Sequence, residues 1–163
     1  MTTDREIVSV GMGDVRVSKQ RPVTFCCVGL GSCIGFCAYD PVARVGGMAH
    51  MVLPESQNVS LSPGKYVNTG IPLLFAELEK IGASRSHLQV KLCGGARMFS
   101  IPGMNSPMDV GARNIAMAAS VLEQQGVKSY RSDLGGSQGR TMSLFMDTGM
   151  VTVRTVGRGN VEL

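Results

Sequence analysis

Cys33 and His50 are the two side chains whose chemistry fits together most readily. Cys33 follows the tight run Gly29-Leu30-Gly31-Ser32, and His50 is one of only two histidines in the 163-residue chain. A thiol attacks as its thiolate, and a cysteine of ordinary pKa, about 8.5, is only slightly ionised at neutral pH. A neighbouring imidazole removes the thiol proton, stabilises the thiolate as an ion pair and can deliver a proton to a departing amine. The turn through Gly31 and Ser32 adds backbone N–H groups that could face a developing oxyanion. The same residue types are often structural. Cysteine is among the most buried residues, and a lone histidine on an apolar strand is commonly a hydrogen-bonded core group. Cys26, Cys37 and Cys93, set in apolar runs, are read as such core thiols.

The elements that must bring Cys33 and His50 together are two apolar runs, Cys33 to Tyr39 and Val45 to Leu53, joined by Asp40-Pro41-Val42-Ala43-Arg44 at hairpin length. They are expected to pair as antiparallel neighbours. Upstream, Val23 to Val28 has the continuous apolar pattern of a buried strand. Glu6 to Val10 and Asp14 to Val17 are expected as two short strands about Gly11-Met12-Gly13, forming one edge of a sheet. Glu55 to Gly64 is polar and is expected to be a mobile loop at the mouth of the same region.

Farther on, Val67, Ile71, Leu74, Phe75, Leu78 and Ile81 form one helical face that ends at Gly82. Pro72 argues for an N-cap at Thr69, which puts the proline in the first turn. A second helix is capped by Asp109, carries Val110, Ile115, Ala118, Val121 and Leu122 on its apolar side, stops at Gly126, and has alanines suited to close packing on a sheet. Leu88 to Cys93, Lys128 to Ser132, Thr141 to Met146 and Met150 to Val156 are strand candidates, with Asp147-Thr148-Gly149 as a hairpin turn. Ser100 to Met108 reads as loop. This order predicts an α+β domain spanning residues 1–163, a largely antiparallel β-sheet core or sandwich with two main helices packed on it.

Composition narrows the function classes. A 44% hydrophobic chain with 17% charged residues forms a core rather than a disordered ensemble. The net charge of +4 is scattered, without the basic cluster that nucleic-acid binding needs. No secretory leader or long apolar run is present, so a soluble, cytoplasmic protein without membrane insertion is expected. Five cysteines at 26, 27, 33, 37 and 93 fit neither a disulfide framework nor paired metal-ligand spacing, and two histidines make no metal constellation. No metal or cofactor is called for. Gly29-Leu30-Gly31 lacks the third glycine of a dinucleotide fingerprint, and Gly135-Gly136-Ser137-Gln138-Gly139 lacks the lysine of a phosphate loop.

Several short runs, taken in order, resemble one family. Gly29-Leu30-Gly31-Ser32-Cys33, Tyr39-Asp40-Pro41 and Gly46-Gly47-Met48-Ala49-His50-Met51-Val52-Leu53-Pro54 are similar to the signature of the chemoreceptor glutamine deamidases, the CheD family. Lys65-Tyr66 with Thr69, Gly94-Gly95-Ala96-Arg97-Met98-Phe99, Gly111-Ala112-Arg113-Asn114, Asp133-Leu134-Gly135-Gly136, Gly139-Arg140 and Val153-Arg154 extend the resemblance from about Ile7 to Gly157.

The resemblance implies an amidohydrolase that converts glutamine side chains of methyl-accepting chemotaxis receptors to glutamate, with Cys33 as nucleophile and His50 as its histidine. It implies a fold similar to the catalytic domain of cytotoxic necrotizing factor toxins, and a CheC-type phosphatase as a second partner. Some activity on glutamate methyl esters is also expected, because an ester presents a similar carbonyl with an easier leaving group. The family threonine six residues before the nucleophile is replaced here by Cys27, a poor hydrogen-bond partner for imidazole. That leaves a backbone carbonyl or Thr24 as the group that would orient His50. Asn68 and Ser137 also depart from the family pattern. Arg97 and Arg140 are candidates for meeting receptor carboxylates or a partner surface. The alternative class is an adaptor that binds receptors or the phosphatase with little or no catalysis. A third reading, a general cysteine protease, predicts backbone cleavage.

Overall fold

A computed structural model describes residues 5–20, 22–58, 61–98 and 109–163. The expectations for Ser100 to Met108, for Phe99, and for positions 59 and 60 of the polar loop lie outside the described residues.

Among the described residues, ten strands form two sheets. They are β1 (Glu6–Ser9), β2 (Val15–Ser18), β3 (Val23–Leu30), β4 (Ile34–Asp40), β5 (Val45–Met51), β6 (Gln89–Gly94), β7 (Arg131–Leu134), β8 (Arg140–Phe145), β9 (Val151–Thr155) and β10 (Asn160–Glu162). One sheet runs β1-β3-β8-β9-β10 and the other β2-β5-β4-β6-β7. All pairings are antiparallel except β1 with β3 and β6 with β7. Helices α1 (Val67–Lys80) and α2 (Val110–Gln124) pack on the second sheet. The predicted α+β architecture is therefore present, in three layers.

The pleat of β4 explains the layering. Successive side chains leave a strand on opposite faces. Ile34, Phe36 and Ala38 accordingly join Ile71, Leu74, Phe75, Leu78, Ala118 and Leu122 in the core beneath the helices. Cys37 and Tyr39 join Phe25, Cys27, Leu30, Met142 and Leu144 between the sheets. A strand covered on both faces must be apolar throughout, and all seven residues of β4 are buried. Even Asp40 is fully buried, with Oδ1 accepting from Val42 N (2.8 Å) and Ala43 N (2.9 Å) and Oδ2 from Ser84 N (2.8 Å). The hairpin turn between β4 and β5 is thereby fixed by a carboxylate that gains more from three N–H donors than it loses in water.

Several expectations need correction. β1 and β2 are not one sheet edge, since β1 lies parallel to β3 in one sheet and β2 antiparallel to β5 in the other. The turn between them carries the chain across, with Val10 N bonded to Cys26 O and Gly13 N to His50 O. Helix α1 begins at Val67, two residues before the expected cap. The N–H groups of Val67 and Asn68 donate to Leu53 O and Pro54 O, so backbone replaces the capping side chain and Pro72 sits inside the helix. Of the alanines in α2 only Ala118 is buried. The strand expected at Lys128 to Ser132 lies at Arg131–Leu134, and the short, exposed β10 had no counterpart among the expectations. The Asp109 cap, the stops at Gly82 and Gly126, and the Asp147-Thr148-Gly149 turn are as expected.

Candidate active site

Strand β3 ends irregularly. Its register against β8 shifts between Cys27 and Leu30, and Gly29 within the shift has φ +71°, open to glycine but strained for other residues. The shift bends the chain into the turn Gly31-Ser32-Cys33, which leads directly into β4.

Every carbonyl of that turn is engaged. Gly31 O accepts from Ala96 N (2.9 Å), Cys33 O from Gly95 N (2.9 Å), and Ser32 O from the Asn114 side-chain amide (2.9 Å). The N–H groups of Gly31, Ser32 and Cys33 donate to no backbone carbonyl among the described residues. A planar trans peptide points its C=O and N–H in opposite directions, so tying down successive carbonyls turns the following N–H groups the other way. This is how backbone makes an anion-accepting concavity. Gly94, at φ +114°, packs so closely on the Cys33 carbonyl that a Cβ there would overlap it.

Cys33 is 9% exposed, and its side chain belongs to the core between the sheets. Burial raises its pKa above the ordinary thiol value, and its own backbone N–H lowers it in part. His50 lies opposite Gly35 in the β4–β5 ladder. Continuing that register sets Cys33 diagonally across from His50, on the same face as Gly35, and diagonal neighbours are within reach of long side chains. The position directly opposite His50 carries no side chain.

His50 is 3% exposed. Its Nδ1 lies 3.0 Å from Val10 O, and its Nε2 is buried without a hydrogen-bond partner among the described residues. Because a carbonyl can only accept, Nδ1 is the protonated nitrogen of the neutral ring and Nε2 keeps its lone pair. The backbone of His50 is held as well, its N–H donating to Asp14 O (3.1 Å) and its C=O accepting from Gly13 N (2.8 Å). The crossover between β1 and β2 thus supplies the imidazole's orientation. No hydrogen bond joins Cys33 Sγ to Nε2 in this state. Such contacts are often long in the free enzyme and tighten on substrate binding.

Cys27 is fully buried in the same core, and burial, reinforced by neighbouring thiols, pushes its pKa far up. It makes no hydrogen bond to His50. Thr24, three positions away on β3, falls on the strand's opposite face. Of the groups considered for orienting His50, the backbone carbonyl is the one found.

Arg97 is exposed, with its N–H bonded to Gly136 O (2.9 Å). Arg140, read from sequence as a surface cation, is only 7% exposed. Its guanidinium donates to Gly94 O and Asp133 Oδ1, both at 3.3 Å, clipping β8 to the turns behind Cys33. Met98, 47% exposed, lies over Gly31. A 520 Å³ groove runs past Gly29, Arg140, Arg154 and Val156 beside the turn. A larger one of 630 Å³ lies at the far end of β6 and touches none of these groups. Among the described residues no cluster of three or more His, Cys, Asp or Glu is placed to hold a metal, and no helix is long and apolar enough to cross a membrane.

Two contributors were not assigned a role from sequence. The Val10 carbonyl has no side-chain signature. Asn114 had one, since a polar residue four positions from Val110 and from Ala118 interrupts the apolar stripe of α2.

A family model described as CheD chemotactic sensory transduction matches residues 52–155. The chain is 44% identical over 99% of its length to a probable chemoreceptor glutamine deamidase CheD of Symbiobacterium thermophilum, covering 99% of that protein. It is 42% identical to the protein of the same name from Desulfitobacterium hafniense, covering 94% of this chain and 96% of the relative. Among solved structures, a Neisseria meningitidis protein of the DUF152 family superposes with a TM-score of 0.51 at 12% identity, over 76% of this chain and 53% of the other. At that identity the likeness concerns the fold alone.

Proposed function

The chain belongs to the CheD family, and we propose that it is a chemoreceptor glutamine deamidase that works through Cys33 and His50. The observation that carries this reading is the orientation of His50, with Nδ1 fixed on the Val10 carbonyl and Nε2 left free on the face shared with Cys33. Nε2 takes the thiol proton as Sγ attacks the side-chain carbonyl carbon of a receptor glutamine. The N–H groups of Ser32 and Cys33 receive the oxyanion. His50 passes its proton to the amine, ammonia leaves and a thioester to Cys33 remains. His50 then deprotonates a water, which attacks the thioester and releases glutamate and the free thiol. Atoms balance without a metal or cofactor.

The substrate is a residue on a folded receptor, so the site should meet it at the protein surface beside Met98 and the exposed Arg97. The reaction belongs to the cytoplasm, where receptor glutamines are modified for adaptation. A CheC-type phosphatase is the second partner of the same proposal. Activity on glutamate methyl esters follows from the same thioester. The adaptor reading would draw its support from Cys27 standing where a hydroxyl is expected to orient the histidine, whereas the contact of His50 Nδ1 with the Val10 carbonyl favours catalysis. Incubating a receptor cytoplasmic fragment with wild type, Cys33→Ala and His50→Ala, followed by peptide mass spectrometry, tests the proposal. Glutamine-to-glutamate conversion by wild type alone supports it, conversion by Cys33→Ala overturns it, and backbone cleavage would indicate a protease.

A further inference from the structure

Asn114 has no place in the reaction just described, yet it is fully buried on α2 and its side-chain amide spans the site from beneath. Nδ2 donates to Ser32 O (2.9 Å) and to Val52 O (3.0 Å), while Oδ1 is buried without a partner among the described residues. Ser32 immediately precedes the nucleophile, and Val52 lies two residues beyond His50. One amide group therefore ties the nucleophile turn to the histidine strand. An orphaned buried acceptor is destabilising, so a polar residue carrying one is held there by what its other atom does.

We propose that Asn114 is a positioning residue that sets the oxyanion-binding peptide. Ser32 C=O and Cys33 N–H belong to the same planar unit, so the bond from Nδ2 that draws the carbonyl toward α2 turns the Cys33 N–H toward the opposite face, that of Cys33 in the core between the sheets and, by the β4–β5 register, of His50. Rotation of this one peptide would remove the donor without moving Sγ. The fit of α2 supports the assignment. Gly111, one turn before Asn114, packs so tightly on the carbonyls of Gly95 and Ala96 that a Cβ would meet both at 2.6 Å. Gly95 and Ala96 in turn hold the carbonyls of Cys33 and Gly31. The first turns of α2 thus brace all three carbonyls of the nucleophile turn, one directly and two through the intervening segment.

This inference rests on the Cys33–His50 reading, and its test separates the two. Asn114→Ala and Asn114→Ser are assayed for deamidation of a receptor fragment, and in parallel for alkylation of Cys33 by iodoacetamide, which develops no oxyanion. The expected result is a fall in kcat of about 10²-fold with KM within about twofold, as for loss of one oxyanion donor, while Cys33 alkylates within about threefold of the wild-type rate. A folded variant with kcat near wild type, or one that loses only KM, overturns the role of Asn114. Activity of Cys33→Ala would instead sink the underlying mechanism. If neither variant folds, the wild-type chain decides by NMR. Forming the hemithioacetal of Cys33 with a glutamine-side-chain aldehyde analogue should shift the Cys33 amide proton strongly downfield, and an unmoved resonance contradicts the proposal.

Discussion

The imidazole of His50 is oriented by backbone, its Nδ1 lying 3.0 Å from the carbonyl oxygen of Val10. Val10 is itself anchored, since its N–H donates to Cys26 O at 2.8 Å. The neutral ring should therefore be the Nδ1–H tautomer, with Nε2 as the basic nitrogen. Nitrogen-15 NMR of labelled histidine checks this directly. Two distinct ring-nitrogen shifts with Nδ1 in the protonated range are expected, and an Nε2–H tautomer at neutral pH would contradict the orientation described.

Cys27 should be dispensable for chemistry, because the hydrogen bond a hydroxyl would give at that position is already supplied by Val10. Cys27→Ala is expected to keep deamidation within about threefold of wild type per folded molecule, with a stability loss on the order of 1 kcal/mol for the small cavity. A collapse of kcat comparable to that of His50→Ala would show that the thiol takes part.

Gly94 supports the Cys33 turn through shape. At φ +114° it has a backbone conformation that alanine resists, and an added Cβ would overlap the Cys33 carbonyl oxygen. Gly94→Ala is expected to lower stability by about 3 kcal/mol or more and to displace the turn. Gly31→Ala makes the comparison, because there the Cβ meets the half-exposed Met98 side chain, which can swing away. Urea denaturation of the two variants should show the larger loss for Gly94→Ala.

Much of the candidate site was legible because it is local. The runs around Cys33 and His50 have the length and apolar content of paired strands, and Asp40-Pro41 marks the turn, so their antiparallel pairing follows. What escaped is non-local. Whether β1 and β2 share a sheet depends on which sheet edges are open, and no short-range pattern encodes that. The start of α1 is set by carbonyls of Leu53 and Pro54 that stand in for a capping side chain. Arg140 reads as a surface cation because arginine commonly is one, while its acceptors, Gly94 O and Asp133, come from other elements. The Val10 carbonyl could not be read from any side chain. Asn114 marked itself only by being polar on an apolar stripe.

Alkaline pH should destabilise the fold through its buried thiols. Burial pushes Cys37 and Cys93 up to about 12, and Cys27 higher still. The unfolded chain ionises these thiols from about pH 8.5 to 9, where the native state keeps its protons, so stability is fully present below that range and falls above it. The slope approaches about 1.4 kcal/mol per pH unit for each buried thiol. Urea midpoints measured from pH 8 to 10.5 should fall accordingly, and more shallowly once Cys37 and Cys93 are replaced by alanine. An identical slope in that variant would place the alkaline loss elsewhere.

The claim that Cys33 forms the thioester is tested most directly by trapping it. Wild type mixed with a receptor fragment and quenched in acid at early times should carry the fragment covalently on the Cys33 peptide, and neutral hydroxylamine should release it as the glutamyl hydroxamate. His50→Ala should yield the adduct far more slowly, and Cys33→Ala none. Receptor glutamate appearing at the wild-type rate with Cys33→Ala, or an adduct mapped to another cysteine, would contradict the mechanism.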